Sequence, residues 1–205
     1  MKVEDYIEKH ITPPSEALLR LEKITWQKLI NPRMCSGSYQ GRLLSLISKM
    51  IAPRHIMELG TFTGYSTLCL LEGLVFDGTL HTVDINDELK WIHDQFLTDP
   101  RIFKHYLAAE DFLCQHDWSE VDLVFIDADK SNYLRYWEML EAKLKRGTVV
   151  LLDNVLWSGK VLQPTASGDI DTEVLKLLNE RISSSADWEA MIIPIRDGIT
   201  LARKK

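Results

Sequence analysis

The sequence predicts an α/β protein with a doubly wound, mostly parallel sheet of seven strands, closed at its carboxyl end by an antiparallel hairpin. Three observations carry that expectation. From Pro53 onward, apolar runs of strand length alternate with segments of helical spacing. Two of the runs, Leu123-Val124-Phe125-Ile126 and Val149-Val150-Leu151-Leu152, are apolar throughout, as strands covered on both faces are. The stretch from Ile56 to Ser66 has the pattern of a buried strand, a glycine-bearing turn and the start of a helix.

In chain order, residues 3–10 fit one short helix stopped by Thr12-Pro13-Pro14. Ser15 is suited to cap a second, in which Leu18, Leu21, Ile24 and Leu29 recur at helical spacing until Asn31-Pro32. After a polar loop, Cys35-Ser-Gly-Ser-Tyr39, a third helix carries Leu43, Leu44, Leu46, Ile47, Met50 and Ile51. Strands are then expected near 55–59, 80–85, 102–108, 121–127 and 148–153, with helices near 65–74, 88–97, 110–115, 132–144 and 172–182. Around an Asp197-Gly198 turn, residues 191–195 and 199–202 form the closing hairpin, and Pro194 puts its first strand at an edge or a strand end. No linker divides the chain, so residues 1–205 are expected to be one domain: helices over 1–52, sheet and covering helices over 53–205.

Composition excludes several classes. A net charge of -6, with no basic run beyond Arg203-Lys204-Lys205, argues against nucleic acid as the main partner. No apolar run reaches membrane length and the amino terminus is polar, so neither a membrane nor a secretory route is expected. Cys35, Cys69 and Cys114 are scattered and make neither a zinc pattern nor a redox pair; reduced thiols in a cytoplasmic protein are expected.

The chemistry gathers at strand ends, where open α/β sheets bind ligands. Gly60 and Gly64 frame the first turn, but their spacing fails the Gly-x-Gly-x-x-Gly dinucleotide pattern, and a tight connection with no ligand explains them equally well. Glu58, Asp84, Asp127 and Asp153 each end a strand. Asp84 suits either a ribose or a turn. Asp127-Ala-Asp129-Lys130 and Asp153-Asn154 each follow an apolar strand and converge on one rim, where anions repel unless a cation lies between them. Two carboxylates and an amide suit a hard divalent ion such as magnesium, or Mn2+ or Ca2+, whereas zinc would want His or Cys. Beside such an ion Lys130 could act as a base. Trp157 could form an apolar substrate wall, or could pack on the helix near 172–182.

With these pieces in place, the chain resembles the cation-dependent class I O-methyltransferases, the catechol and caffeoyl-coenzyme A group, on a Rossmann-like fold. The matching segments run from Glu58 to Ser66, Val83-Asp-Ile85, Phe125 to Lys130, Asp153 to Gly159 and Pro194 to Ala202. The resemblance implies that Glu58, Gly60, Tyr65 and Ser66 surround the methionine part of S-adenosylmethionine, with Met34 and Ser36 closing over it. Asp84 and Ile85 would lie at the ribose, Ala108 and Ala109 at the adenine, and Asp127 beside the cofactor. Asp127, Asp153 and Asn154 would be the metal ligands, Lys130 the catalytic lysine, and Lys130 and Trp157 the substrate contacts. Leu107 stands where many members have glycine, and Ala109 where a hydroxyl often contacts adenine. A homodimer and a small aromatic acceptor with adjacent hydroxyls are further implications. A free catechol is expected rather than a coenzyme A ester, because no long basic amino-terminal stretch is present to hold the phosphates. The competing readings are a nicotinamide-dependent oxidoreductase and a non-catalytic binding module.

Overall fold

The computed structural model describes residues 3–115 and 117–205. Three helices come first: α1 (Val3–Glu8), α2 (Glu16–Lys28) and α3 (Gly37–Ile51). The alternating part follows as β1 (His55–Leu59), α4 (Tyr65–Leu71), β2 (Thr79–Asp84), α5 (Lys90–Phe96), β3 (Ile102–Tyr106), α6 (Ala109–Gln115), β4 (Leu123–Ile126), α7 (Tyr133–Glu141) and β5 (Val149–Asp153). The chain ends with α8 (Ile170–Ser184), β6 (Trp188–Ile193) and β7 (Ile199–Lys204). Short 3-10 turns occupy Pro32–Met34, Lys130–Asn132 and Trp157–Leu162.

All seven strands join one sheet in the order β3-β2-β1-β4-β5-β7-β6. The first five are parallel, and β7 runs antiparallel between β5 and the edge strand β6. The expected architecture is therefore present. Continuous apolar strands serve two layers at once. Val124, Ile126, Val150 and Leu152 pack with Phe112, Tyr133, Trp137 and Leu178 on one face. Leu123, Phe125 and Leu151 pack with Leu21, Leu44, Tyr65 and Leu70 on the other. Among the described residues no helix is long and apolar enough to cross a membrane.

Strand order reverses between β1 and β4, so the ligand crevice of this sheet class opens there, past Leu59 and Ile126. Gly60 and Asp127 are the first residues beyond it. The Asp127 N–H donates to the Leu59 carbonyl at 2.7 Å. Gly60 has a φ of 101°, and a Cβ there would lie 1.9 Å from the Asp127 carbonyl oxygen. Only glycine lets the two chains cross this closely.

Three details differ from the sequence expectation. Helix α3 begins at Gly37, inside the expected loop, because its first turn is polar: Gln40 is fully buried yet invisible to apolar periodicity. Strand β3 stops at Tyr106, leaving Leu107 and Ala108 as a connection into α6. The hairpin turn is closed by a hydrogen bond from the Gly198 N–H to the Ile195 carbonyl. Its central pair is thus Arg196-Asp197, not Asp197-Gly198, with Arg196 at a φ of 48°. Pro194 follows β6 directly, and β6 is an edge, as expected.

Gly60→Ala should lower the unfolding free energy by about 2 kcal/mol or more, since positive-φ strain adds to a backbone clash. Gly159→Ala is the control: its φ is 76°, but nothing lies within 4 Å of an added Cβ. Urea melts giving equal costs at the two positions would contradict the close-crossing account.

Candidate active site

The loop after β1 is pinned from several sides. Thr61 Oγ1 bonds Thr82 Oγ1 at 2.6 Å, the Phe62 N–H donates to Asp84 Oδ2 at 2.8 Å, and the Phe62 carbonyl meets His93 Nε2 at 2.7 Å. Asp84 Oδ1 accepts from the Asn86 N–H at 2.9 Å. Asp84 therefore shapes the turn, with both oxygens engaged by backbone N–H groups. Behind the loop, Glu58 is fully buried. Its Oε2 accepts from Thr67 and Thr82, Oε1 makes no close hydrogen bond, and the nearby Ser66 hydroxyl acts to lower the pKa of the carboxyl. Burial, reinforced by the charge of Asp127, pushes the Glu58 carboxyl up to about 7.

At the ends of β4 and β5 the acids meet. Asp153 is 3% exposed. Burial first, then the charge of Asp127, raises its carboxyl to about 6. Its Oδ1 accepts from the Asn154 N–H at 2.8 Å, and its Oδ2 accepts from Gln40 Nε2 at 2.6 Å. Lys130 is also buried, and Nζ spends its three N–H groups on Asp127 Oδ1 (2.9 Å), the Ala128 carbonyl (3.1 Å) and Tyr133 Oη (2.6 Å). Tyr133 donates its own O–H to the Ile126 carbonyl at 3.0 Å, and burial holds its phenol well above the ordinary range.

The remaining expected residues lie in different settings. Ser36 and Ser66 are nearly buried, and Met34 is 58% exposed on the loop before α3. The Tyr65 side chain is buried against α3, where Gly41 leaves room for its ring. Ile85 is 76% exposed. Ala109 opens α6 and packs against the core, and the Ala108 carbonyl receives the Phe112 N–H. Trp157 is partly buried and packs against the core cluster that includes Leu175 and Leu178. Gln40, Tyr133 and Arg196 were missed. Tyr133, three residues after Lys130 on the incoming helix, was the one with a usable spacing signal. Two broad surface cavities, about 500 and 430 Å³, open at the opposite end of the strands, around His55, Thr79 and Trp118 and around Arg54, Asp122 and Lys145.

This arrangement can be set against known proteins. The O-methyltransferase family matches residues 8–205. The chain belongs to that family. Caffeoyl-CoA O-methyltransferase 1 of Nicotiana tabacum is 32% identical over 208 residues, covering 92% of this chain and 84% of the relative. An O-methyltransferase from Bacillus cereus, solved in complex with SAH, superposes with a TM-score of 0.88 at 25% identity, over 99% of this chain and 97% of its own. TomG from Streptomyces achromogenes, solved in complex with SAM and involved in tomaymycin synthesis, gives 0.87 at 26% identity, over 99% and 96%. The enzyme class read from the sequence, an S-adenosylmethionine-dependent O-methyltransferase, therefore holds, and the nicotinamide reading is not favoured.

The residues fit the groups this family implies. Asp127 and Asp153, the former raising the carboxyl of the latter, with Asn154 next in sequence, are oxygen donors of the kind a hard cation takes. Among the described residues no cluster of three or more His, Cys, Asp or Glu could hold a metal, so any ion here would rely on Asn154 and non-protein oxygens. The unpartnered Oε1 of Glu58 is likewise a buried acceptor awaiting a donor.

The raised Glu58 pKa has a stability consequence. A carboxyl lifted from 4.5 to about 7 binds more protons folded than unfolded across that interval, so its contribution is full below 4.5 and lost as pH rises through 7. Asp153 acts in the same direction. Glu58→Gln should therefore flatten the pH dependence of cofactor-free stability and gain up to roughly 3 kcal/mol over wild type near pH 8. Thermal melts between pH 5 and 8 with identical slopes for the two proteins would contradict this.

Proposed function

We propose that this O-methyltransferase transfers the methyl group of S-adenosylmethionine to one oxygen of a small aromatic acceptor with adjacent hydroxyls. A divalent cation, magnesium or another hard ion, would be held by Asp127, Asp153 and Asn154. The observation that carries the proposal is the facing pair Asp127 and Asp153, with the Lys130 ammonium 2.9 Å from Asp127 Oδ1. Glu58, Gly60, Tyr65 and Ser66, with Met34 and Ser36 above them, are the proposed methionine side; Asp84 and Ile85 the ribose side; Ala108 and Ala109 the adenine side. Trp157 is the proposed acceptor wall.

When bound, the cation supplies Lewis acidity and orientation to a hydroxyl it holds. In the transfer, the S–CH3 bond breaks as the O–CH3 bond forms, the sulfonium becomes a neutral thioether, and the hydroxyl proton passes to solvent water. Lys130 offsets the negative charge that the departing proton leaves on the acceptor oxygen. With three N–H groups donated, it stands as an ammonium whose charge stabilises an acceptor oxyanion. Tyr133 beneath it keeps Nζ in place.

The free cysteines support a cytoplasmic enzyme. Exposed Leu19 and Trp26 on α2, with Leu46 and Met50 on α3, support a homodimer, as surface that a second copy would cover.

The test is methyl transfer to catechol, its monomethyl ether, phenol and a dihydroxycinnamoyl coenzyme A ester, by wild type and Lys130→Met, with magnesium or excess chelator. The expected result is cation-dependent turnover of the dihydroxy compounds alone. Lys130→Met should lower kcat by about 10²–10⁴-fold with little change in KM. Full activity in chelator, or equal methylation of phenol, would contradict the proposal.

A further inference from the structure

We infer that Gln40 and Arg196 are positioning residues that tie the Asp153 carboxylate to the loop over residues 31–36, making the metal end and the methionine end of the site one mechanical unit. This rests on the metal reading proposed above. Gln40 lies in the first turn of α3, fully buried, 113 residues from Asp153 in sequence, and donates Nε2 to Asp153 Oδ2 at 2.6 Å. Its amide oxygen accepts from Arg196 Nη1 at 3.4 Å. The same guanidinium donates Nη1 to the carbonyls of Cys35, at 2.9 Å, and Ser36, and Nη2 to that of Arg33 at 3.0 Å.

Arg196 stands at a φ of 48° in the tight turn between β6 and β7. That turn also grips the loop after β5. The Asp197 carbonyl accepts from the Leu156 N–H at 2.9 Å, the Asp197 carboxylate from the Ser158 N–H, and the Gly198 carbonyl from the Val155 N–H at 3.1 Å. One turn therefore holds both the loop before α3 and the loop that follows Asp153 and Asn154.

The residue types suit the task. A primary amide is donor and acceptor at once, so Gln40 relays between the arginine and the carboxylate. It fixes one oxygen of Asp153 without cancelling the negative charge a cation would need. A lysine at this position would be a competing counter-ion, and a glutamate would repel Asp153. Arg196 brings several N–H groups in a rigid fork, which is what gathering three carbonyls and an amide oxygen requires.

The experiment titrates Mn2+ by electron paramagnetic resonance and S-adenosylhomocysteine by calorimetry, the latter with and without saturating Mn2+. Proteins compared are wild type, Gln40→Met, Arg196→Met and Asp153→Asn. Gln40→Met should weaken Mn2+ about 10–100-fold, the usual cost of losing a group that orients a ligand. Its S-adenosylhomocysteine affinity without metal should stay within about twofold of wild type, and the gain in that affinity caused by Mn2+ should disappear. Arg196→Met should weaken both ligands. A merely structural Gln40 would instead lower the melting temperature and both affinities in parallel, and that result, or unchanged Mn2+ binding, overturns the inference. Wild type that binds no Mn2+ removes the metal reading and this inference with it. Wild type that binds Mn2+, with Asp153→Asn that does not and Gln40→Met that binds like wild type, removes this inference alone. If Gln40→Met gives no cooperative melt, Gln40→Asn, one methylene short, is judged by the same criteria.

Discussion

Two carboxylates on adjacent strands, Asp127 after β4 and Asp153 at the end of β5, face each other where Asp153 has almost no contact with water. Burial and mutual repulsion each make the doubly ionised pair costly, so the surroundings have to supply compensation. They do so with an ammonium on one side and a neutral amide on the other. Lys130 sits at 2.9 Å from Asp127, and Gln40 at 2.6 Å from Asp153. The two acids are thus treated differently: one is paired with a charge, and the other with a neutral amide.

Backbone strain is concentrated around the same rim. Among the described residues, the non-glycine positions at positive φ are Ala52, Phe62, Asn154, Trp157, Ser158 and Arg196. Ala52 merely ends α3, but the other five lie in the loops after β1 and β5 and in the β6–β7 turn. Each such residue costs of order 1 kcal/mol or more and persists only where neighbours hold it. Here the neighbours are identifiable: Asp84 and His93 hold Phe62, and Asp197 holds Leu156 and Ser158. Together with the raised Glu58 and Asp153 carboxyls, this makes the rim a region whose own energy is poor.

The sheet was legible in the sequence because a strand buried on both faces must be apolar throughout, and Leu123–Ile126 and Val149-Val150-Leu151-Leu152 are. Acids directly after such strands were legible for the same reason: strand ends fix where the next residue emerges. Contacts between distant segments were not. Nothing local marks Gln40 as the partner of Asp153, and a polar first helical turn carries no apolar period. Arg196 was hidden by the familiar Asp-Gly pattern beside it, although the turn is centred one residue earlier.

The central claim is that the Asp127, Asp153 and Asn154 rim is a cation site beside a methyl-donor crevice. Crystals grown with Mn2+ and S-adenosylhomocysteine, measured at the manganese absorption edge, address it most directly. The account predicts one strong anomalous peak within about 2.0–2.4 Å of oxygens from all three residues, as hard divalent ions require. An anomalous map featureless at that rim, with S-adenosylhomocysteine bound, would contradict it.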